Sequence, residues 1–182
     1  AQRVGSCGRI CASIEWKIVD SNDNELPPGE VGELVMRGPS MKTEYYKRPE
    51  ETKDAFSING WVRTEDMLKE DEGGWFYFVD RKKDMIKSGG ENVYAKKVED
   101  YLYTHSDIAD VAVIGIPDEN WGEAVKAIVV PQRGKQPVEE DLIKFCKKGL
   151  ARFEVPKSID FVDDLPRNPS GKVLKPELRK IY

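Results

Sequence analysis

The chain has 182 residues, 39% of them hydrophobic and 34% charged, with a formal net charge of −4. That length holds one medium domain or two small ones with a real core, and the composition is that of a soluble, highly charged globular protein. The negative balance argues against general nucleic-acid or membrane-surface binding, and no apolar run approaches the roughly 20 residues that span a bilayer.

No signal-peptide pattern opens the chain. Ala12 to Asp20 alternates Ile14, Trp16 and Ile18 against Ser13, Glu15 and Lys17, the period of a half-buried strand. Ser21-Asn22-Asp23-Asn24 and Pro27-Pro28-Gly29 are turn chemistry, and Gly32 to Arg37 follows as a second strand. Pro49-Glu50-Glu51-Thr52 predicts the start of a short helix, with proline and acids in its first turn. Trp61 to Leu68 and Trp75 to Val79 flank Glu70-Asp71-Glu72-Gly73-Gly74, a hairpin signal. The first 80 residues are therefore expected to be mainly β.

After Lys83 the pattern changes. Val98, Tyr101 and Leu102 fall at helical spacing, and Val111 to Ile116 and Ala127 to Val130 read as strands. Leu142, Phe145, Cys146 and Leu150 make a helix stripe, with Pro137 near its start and Gly149 near its end. Ser158 to Val162 predicts another strand and Pro176 to Ile181 a terminal helix. Strands and helices mix within about 100 residues, the pattern of a compact α+β module. Cys7, Cys11 and Cys146 are an odd set without metal spacing, and His105 is the only histidine. Reduced thiols, a cytoplasmic protein and no metal site among these residues are expected.

Between the two halves runs Asp80-Arg81-Lys82-Lys83-Asp84-Met85-Ile86-Lys87-Ser88-Gly89-Gly90-Glu91-Asn92-Val93-Tyr94, five charges and then a Ser-Gly-Gly loop. Adjacent glycines permit φ > 0 and let backbone approach a ligand closely. On composition alone this is a charged link and an ordinary loop. The whole string resembles the signature of the adenylate-forming superfamily of acyl- and aryl-CoA synthetases, luciferases and peptide-synthetase adenylation domains. Two more blocks match in order. The first is Gly32-Glu33-Leu34-Val35-Met36-Arg37-Gly38-Pro39 with Tyr45 to Thr52 behind it. The second is Pro166-Arg167-Asn168-Pro169-Ser170-Gly171-Lys172-Val173.

The resemblance implies a mixed α/β fold: a small β-barrel-like subdomain, residues 1–82, closing the AMP-binding domain, then an α+β lid domain, residues 83–182. Lys83 stands at the implied hinge. The chain enters mid-pattern, so it is expected to be the C-terminal part of a longer enzyme and inert alone. Asp66, in Gly60-Trp61-Val62-Arg63-Thr64-Glu65-Asp66, matches the carboxylate that accepts ribose hydroxyls, a task suited to a pure acceptor. Glu65 departs from the glycine usual there. Arg81 matches the second nucleotide contact, a fixed donor fork. Taken singly, Asp66 reads equally as a strand-end acid and Arg81 as a solvated arginine.

Lys172 matches the lysine that bridges carboxylate and α-phosphate during adenylation, and Lys87 the lysine brought in for the second half-reaction. Gly171-Lys172 is no P-loop, because the required flanking residues are missing. Gly89 and Gly90 fall in the loop that lines the pantetheine tunnel. Trp121 and Phe153 match positions that stack on or flank the CoA nucleotide, where core or rim packing is the plainer reading; Val155 stands where one such pattern has a cation. The implied activity is an ATP-dependent fatty or aryl acid–CoA ligase using ATP, CoA and Mg²⁺, with the Mg²⁺ ligands outside this stretch. The implied partners are the acid, ATP and CoA, without nucleic acid or a transmembrane segment, and a homodimer is allowed. The rival readings are transfer to a carrier protein and a non-catalytic nucleotide- or CoA-binding module.

Overall fold

The computed structural model describes residues 3–56 and 60–182. Two compact units divide the chain, Ala1–Lys83 and Asp84–Tyr182.

The first unit is an antiparallel sheet of β1 (Glu15–Val19), β2 (Gly32–Arg37), β3 (Val62–Glu70) and β4 (Phe76–Arg81), in sequential order. Turn chemistry sets the reversals. The Asp20 carboxylate accepts the amides of Asn22 at 2.7 Å and Asn24 at 2.9 Å, closing the chain after β1. Asp71 does the same for Gly73 and Trp75 between β3 and β4. Alternation along the strands sends Ile18, Leu34, Leu68 and Phe76 into one apolar cluster and Val19, Val35 and Trp61 into another. The β-rich character expected here is present, and the strands form an open sheet rather than a closed barrel. A short helix, α1 (Pro49–Asp54), begins at proline as predicted and buries no side chain.

The second unit opens from a single 3-10 turn, Lys82–Asp84. It contains β5 (Ile86–Ser88), β6 (Glu91–Val93), α2 (Ala95–Leu102), β7 (Ile108–Asp118), β8 (Gly122–Pro131), α3 (Glu139–Gly149), β9 (Ser158–Phe161) and α4 (Lys175–Ile181). The sheet runs β6-β5-β8-β7, antiparallel throughout, and β9 adds to β8 in parallel. Both faces of β7 and β8 are covered, which is why they read as continuous apolar runs rather than alternating ones. Val111, Val113, Val125, Ala127 and Val129 join Val98, Leu102, Leu142 and Cys146 on one side. Ala112, Ile114 and Ile128 meet Leu165 and Leu178 on the other. The helix stripe of α3 therefore points where its spacing placed it, and burial pushes the Cys146 thiol up to about 11.

Two features differ from the sequence reading. The segment Pro117 to Gly122 is part of a β7–β8 hairpin, paired as far as Asp118↔Gly122, because Asp118 caps the amides of Asn120 and Trp121 at 2.8 and 3.0 Å. The Ser-Gly-Gly loop is the tip of the β5–β6 hairpin.

Gly149 ends α3 against the Tyr101 ring, which stacks on Phe145 with centroids 4.8 Å apart. A β-carbon at Gly149 would lie 2.2 Å from that ring. Gly149→Ala should therefore lower stability by about 1–3 kcal/mol, the usual cost of overpacking, measured as a fall in the unfolding midpoint. An unchanged midpoint would mean that Tyr101 swings away freely.

Candidate functional site

In the first unit, the site is built around a distortion of the β2–β3 ladder. Glu33 pairs with Met67 and Val35 with Arg63, so Leu34 alone faces Thr64, Glu65 and Asp66. Such a bulge re-aims side chains that a regular strand would point into the sheet. Thr64 stitches it, donating its hydroxyl to Leu34 O at 2.7 Å and accepting the Asp66 amide at 3.1 Å. Glu65 at its apex has φ +60°. That left-handed conformation is natural for glycine and strained for glutamate, which gives a physical meaning to the departure at this position.

Asp66 is brought to Arg81 by the β3–β4 register, and Arg81 Nε lies 2.8 Å from Asp66 Oδ1. This is a charge contact outside hydrogen-bond geometry: Oδ1 is buried and accepts no hydrogen bond among the described residues. A buried carboxylate oxygen that is ion-paired but accepts no hydrogen bond among the described residues has a lone pair suited to a hydroxyl donor from a ligand.

Glu33 fastens the bulge from below. It is 2% exposed. Its Oε2 receives Arg63 Nη1 and Lys82 Nζ, each at 2.8 Å, while Oε1 accepts the Glu65 amide at 3.3 Å. Arg63 also reaches Asp23 at 2.6 Å. Burial works against its charge, but the hydrogen bonds to Asp23 and Glu33 outweigh burial and raise its pKa. Sequence reasoning passed over Glu33 and Arg63. The available signal was a glutamate inside an apolar strand, where an acid is almost never buried unless paired.

In the second unit, Lys87 sits mid-strand in β5 with its side chain exposed, opposite Asn92. Its amide donates to Glu123 Oε2 at 2.7 Å. Gly89 and Gly90 form a two-residue turn, both with positive φ (61° and 85°), the pattern of a type I′ hairpin. The close approach that two glycines allow is taken at Gly89 by Trp121: a β-carbon there would lie 2.6 Å from the indole. Gly90 faces open space. Trp121 is 41% exposed, and Lys157 Nζ stands 4.6 Å from its ring centroid. Phe153 packs on the apolar cluster beneath the sheet, in keeping with the plainer of its two readings. Ser88 Oγ is buried without a hydrogen bond among the described residues.

Lys172 lies at the tip of a small hairpin closed by an Arg167↔Val173 bridge. Asn168 Oδ1 accepts the amides of Ser170 at 3.0 Å and Lys172 at 2.9 Å, and Gly171 takes φ +83°. The lysine side chain is exposed and has no carboxylate within ion-pair distance among the described residues. An ammonium left unneutralised on a rigid turn is suited to meeting an anion. Asp66 and Arg81 thus belong to the first unit, and Lys87, Gly89, Gly90, Trp121, Phe153 and Lys172 to the second. Among the described residues, no three His, Cys, Asp or Glu side chains are grouped to hold a metal ion.

If Glu65 is strained, Glu65→Gly should stabilise the protein by about 1 kcal/mol, raising the melting temperature by a few degrees. A lower melting temperature would show that the bulge depends on the glutamate side chain.

The model of the AMP-binding enzyme C-terminal domain matches residues 97–172, and that of the AMP-binding enzyme matches residues 1–46. An Escherichia coli O6:H1 long-chain-fatty-acid–CoA ligase is 44% identical over 175 residues, 96% of this chain and 31% of that protein. A feruloyl-CoA synthase from an Amycolatopsis species is 41% identical over all 182 residues, 37% of its length. The crystal structure of ATP-bound MatB from Rhodopseudomonas palustris superposes with a TM-score of 0.92 at 36% identity, covering 100% of this chain and 37% of that one. The chain spans about a third of the length of the curated relatives it matches. It belongs to the adenylate-forming, AMP-binding enzyme family, as a C-terminal portion.

Proposed function

We propose that the chain is the C-terminal part of an ATP-dependent carboxylic acid–CoA ligase working through an acyl-adenylate. The observation that carries this reading is Lys172, an exposed ammonium without a carboxylate partner among the described residues, on a turn whose amides are held by Asn168. Asp66 Oδ1, paired with Arg81 but accepting no hydrogen bond among the described residues, supports it from the first unit.

In this reading Asp66 accepts the ribose hydroxyls of ATP and Arg81 donates to ribose oxygens. Lys172 draws the acid's carboxylate and the α-phosphate together and offsets their charge as the carboxylate attacks phosphorus and pyrophosphate leaves. Lys87 serves the second step, in which the CoA sulfur attacks the acyl carbonyl and AMP leaves. Gly89 and Gly90 border the path of the pantetheine arm, and Trp121, with Lys157 over its ring, offers a face to the CoA nucleotide. Phe153 would flank that nucleotide only from its partly buried position on the core. Mg²⁺ would offset phosphate charge, with ligands outside the residues described. The acid is aliphatic or aromatic. A cytoplasmic location goes with these substrates, and no helix among the described residues is long and apolar enough to cross a membrane.

Two lysines on one unit serving two half-reactions predict a separation of effects. In the complete polypeptide, Lys172→Ala should lower acid-dependent ATP–pyrophosphate exchange by two orders of magnitude or more, as loss of one preorganised charge does. Thioester formation from supplied acyl-adenylate should persist. Lys87→Ala should do the reverse. Equal losses in both assays would remove the assignment. A complete enzyme that exchanges pyrophosphate with no aliphatic or aromatic acid would remove the ligase reading itself.

The pivot between the steps is assigned to Lys83, exposed in the 3-10 turn that joins the two units. Short 3-10 stretches often mark hinges, and hinge residues absorb a change of φ and ψ. Lys83→Pro fixes φ near −65° and removes the amide proton. The half-reactions should then fall unequally, because only one arrangement tolerates the locked turn. Parallel losses would put the pivot elsewhere.

A further inference from the structure

The turn carrying Lys172 is internally rigid, yet nothing in the turn itself fixes its direction. Asn168 holds the conformation from within, through its side chain and through its amide donating to Lys172 O at 2.9 Å. Residues 169 to 172 are exposed and touch no core. The base of the hairpin is held by the Arg167↔Val173 bridge and by Val173 against the core; the side chain that reaches from the body of the unit to the tip itself is the Arg167 guanidinium. Nη1 donates to the Gly171 carbonyl at 2.5 Å, the peptide that leads directly into Lys172. Nη2 donates to Asp110 on β7. Asp110 is itself fixed: Oδ1 accepts the Val111 amide at 2.9 Å and the Tyr103 hydroxyl at 2.5 Å. Burial, followed by the bond to Asp110, pushes that phenol up to about 12, so it stays a donor at neutral pH. On the far side of the hairpin, Lys175 meets Glu99 at 2.8 Å, and Glu99 accepts the Val113 amide at 2.8 Å. The hairpin's base is thereby pinned at both ends to β7.

We propose that Arg167 is a positioning residue for Lys172, a strut between Asp110 of the sheet and the Gly171 carbonyl that sets the direction of the lysine. This rests on the adenylation role given to Lys172 above. A lysine has four rotatable bonds and no geometry of its own, so its reach depends on where its backbone points. Misplacement by about 1 Å costs on the order of a hundredfold in rate when reacting groups must be aligned. The planar guanidinium can hold two acceptors at a fixed separation; an ammonium at the same place cannot.

The test uses the complete polypeptide, with dodecanoate, oleate and ferulate as trial acids, and compares Arg167→Ala, Arg167→Lys, Tyr103→Phe and Lys172→Ala. Pyrophosphate exchange should fall roughly 10- to 100-fold in both Arg167 variants, the lysine failing to rescue, with KM for ATP unchanged. Thioester formation from a synthetic acyl-adenylate should stay within about twofold, and melting within about 2 °C, because the pair is a surface one. Tyr103→Phe, which leaves the strut in place, should lose less than about threefold. Should Arg167→Ala fail to fold, Arg167→Lys carries the comparison. Exchange that is unchanged, restored by lysine, or lost in step with thioester formation overturns the strut. If Lys172→Ala abolishes exchange while the Arg167 variants keep it, the strut alone falls. If Lys172→Ala leaves exchange intact, the role of Lys172 falls first and the strut with it.

Discussion

The carboxylate of Glu33 is taken out of water inside a four-stranded sheet, and the first unit is arranged to make that tolerable. Desolvating an anion costs several kcal/mol unless its lone pairs are met by cations and donors. Here Arg63, Lys82 and the Glu65 amide meet them, and each of these groups is thereby fixed in place. Arg63 starts the bulge, Glu65 crowns it and Lys82 begins the turn into the second unit. One buried charge therefore sets the backbone that displays Asp66 and the point at which the chain leaves the sheet.

The second unit repeats the device with different partners. Glu99 accepts the Val113 amide and the Lys175 ammonium, tying α2, β7 and the start of α4 together. Glu154, 4% exposed, accepts the Ala151 amide and the Lys97 ammonium at 2.6 Å. In each case one carboxylate takes a backbone donor and a cation from separate segments. Apolar packing fixes where the elements lie, and these acids fix how the loops between them are held. That division matters because the family-matched side chains, Lys87 aside, sit on bulges, turns and loops or at strand ends rather than in the middle of helices or strands.

Most elements were legible because their signals are local. The alternation around Trp16, the stripe through Leu142 and Cys146, and proline at the start of α1 each follow from backbone geometry within a few residues. The edges of β7 and β8 were missed, since Pro117 to Trp121 is polar and its pairing depends on Asp118 capping two amides. The β5–β6 hairpin was hidden for another reason: it offers only Ile86 and Val93 to the core, too few for a periodicity to show. Motif resemblance singled out Lys172, Lys87, Asp66 and Arg81; their nearest supports, Asn168 and Thr64, are local, but the groups that anchor those supports lie far off in sequence. Asp110 lies 57 residues from Arg167, and Glu33 lies 49 from Lys82. Partners at such distances are chosen by the fold, so only the fold reveals them.

β5 is joined to the large sheet by little backbone pairing. Its ladder to β8 has one register pair, Ser88↔Gly122, and its central amide is taken by the Glu123 side chain instead of by a neighbouring strand. The strand is retained mainly by Ile86, 1% exposed, and by the Val93 side chain across the turn. In heavy water such a segment trades its amide protons ahead of the β7–β8 ladder, since opening it breaks few backbone bonds and leaves the large sheet closed. The lysine thus rides on a short hairpin pegged into the core by two aliphatic side chains, and lifting it would uncover both while leaving the β7–β8 ladder paired.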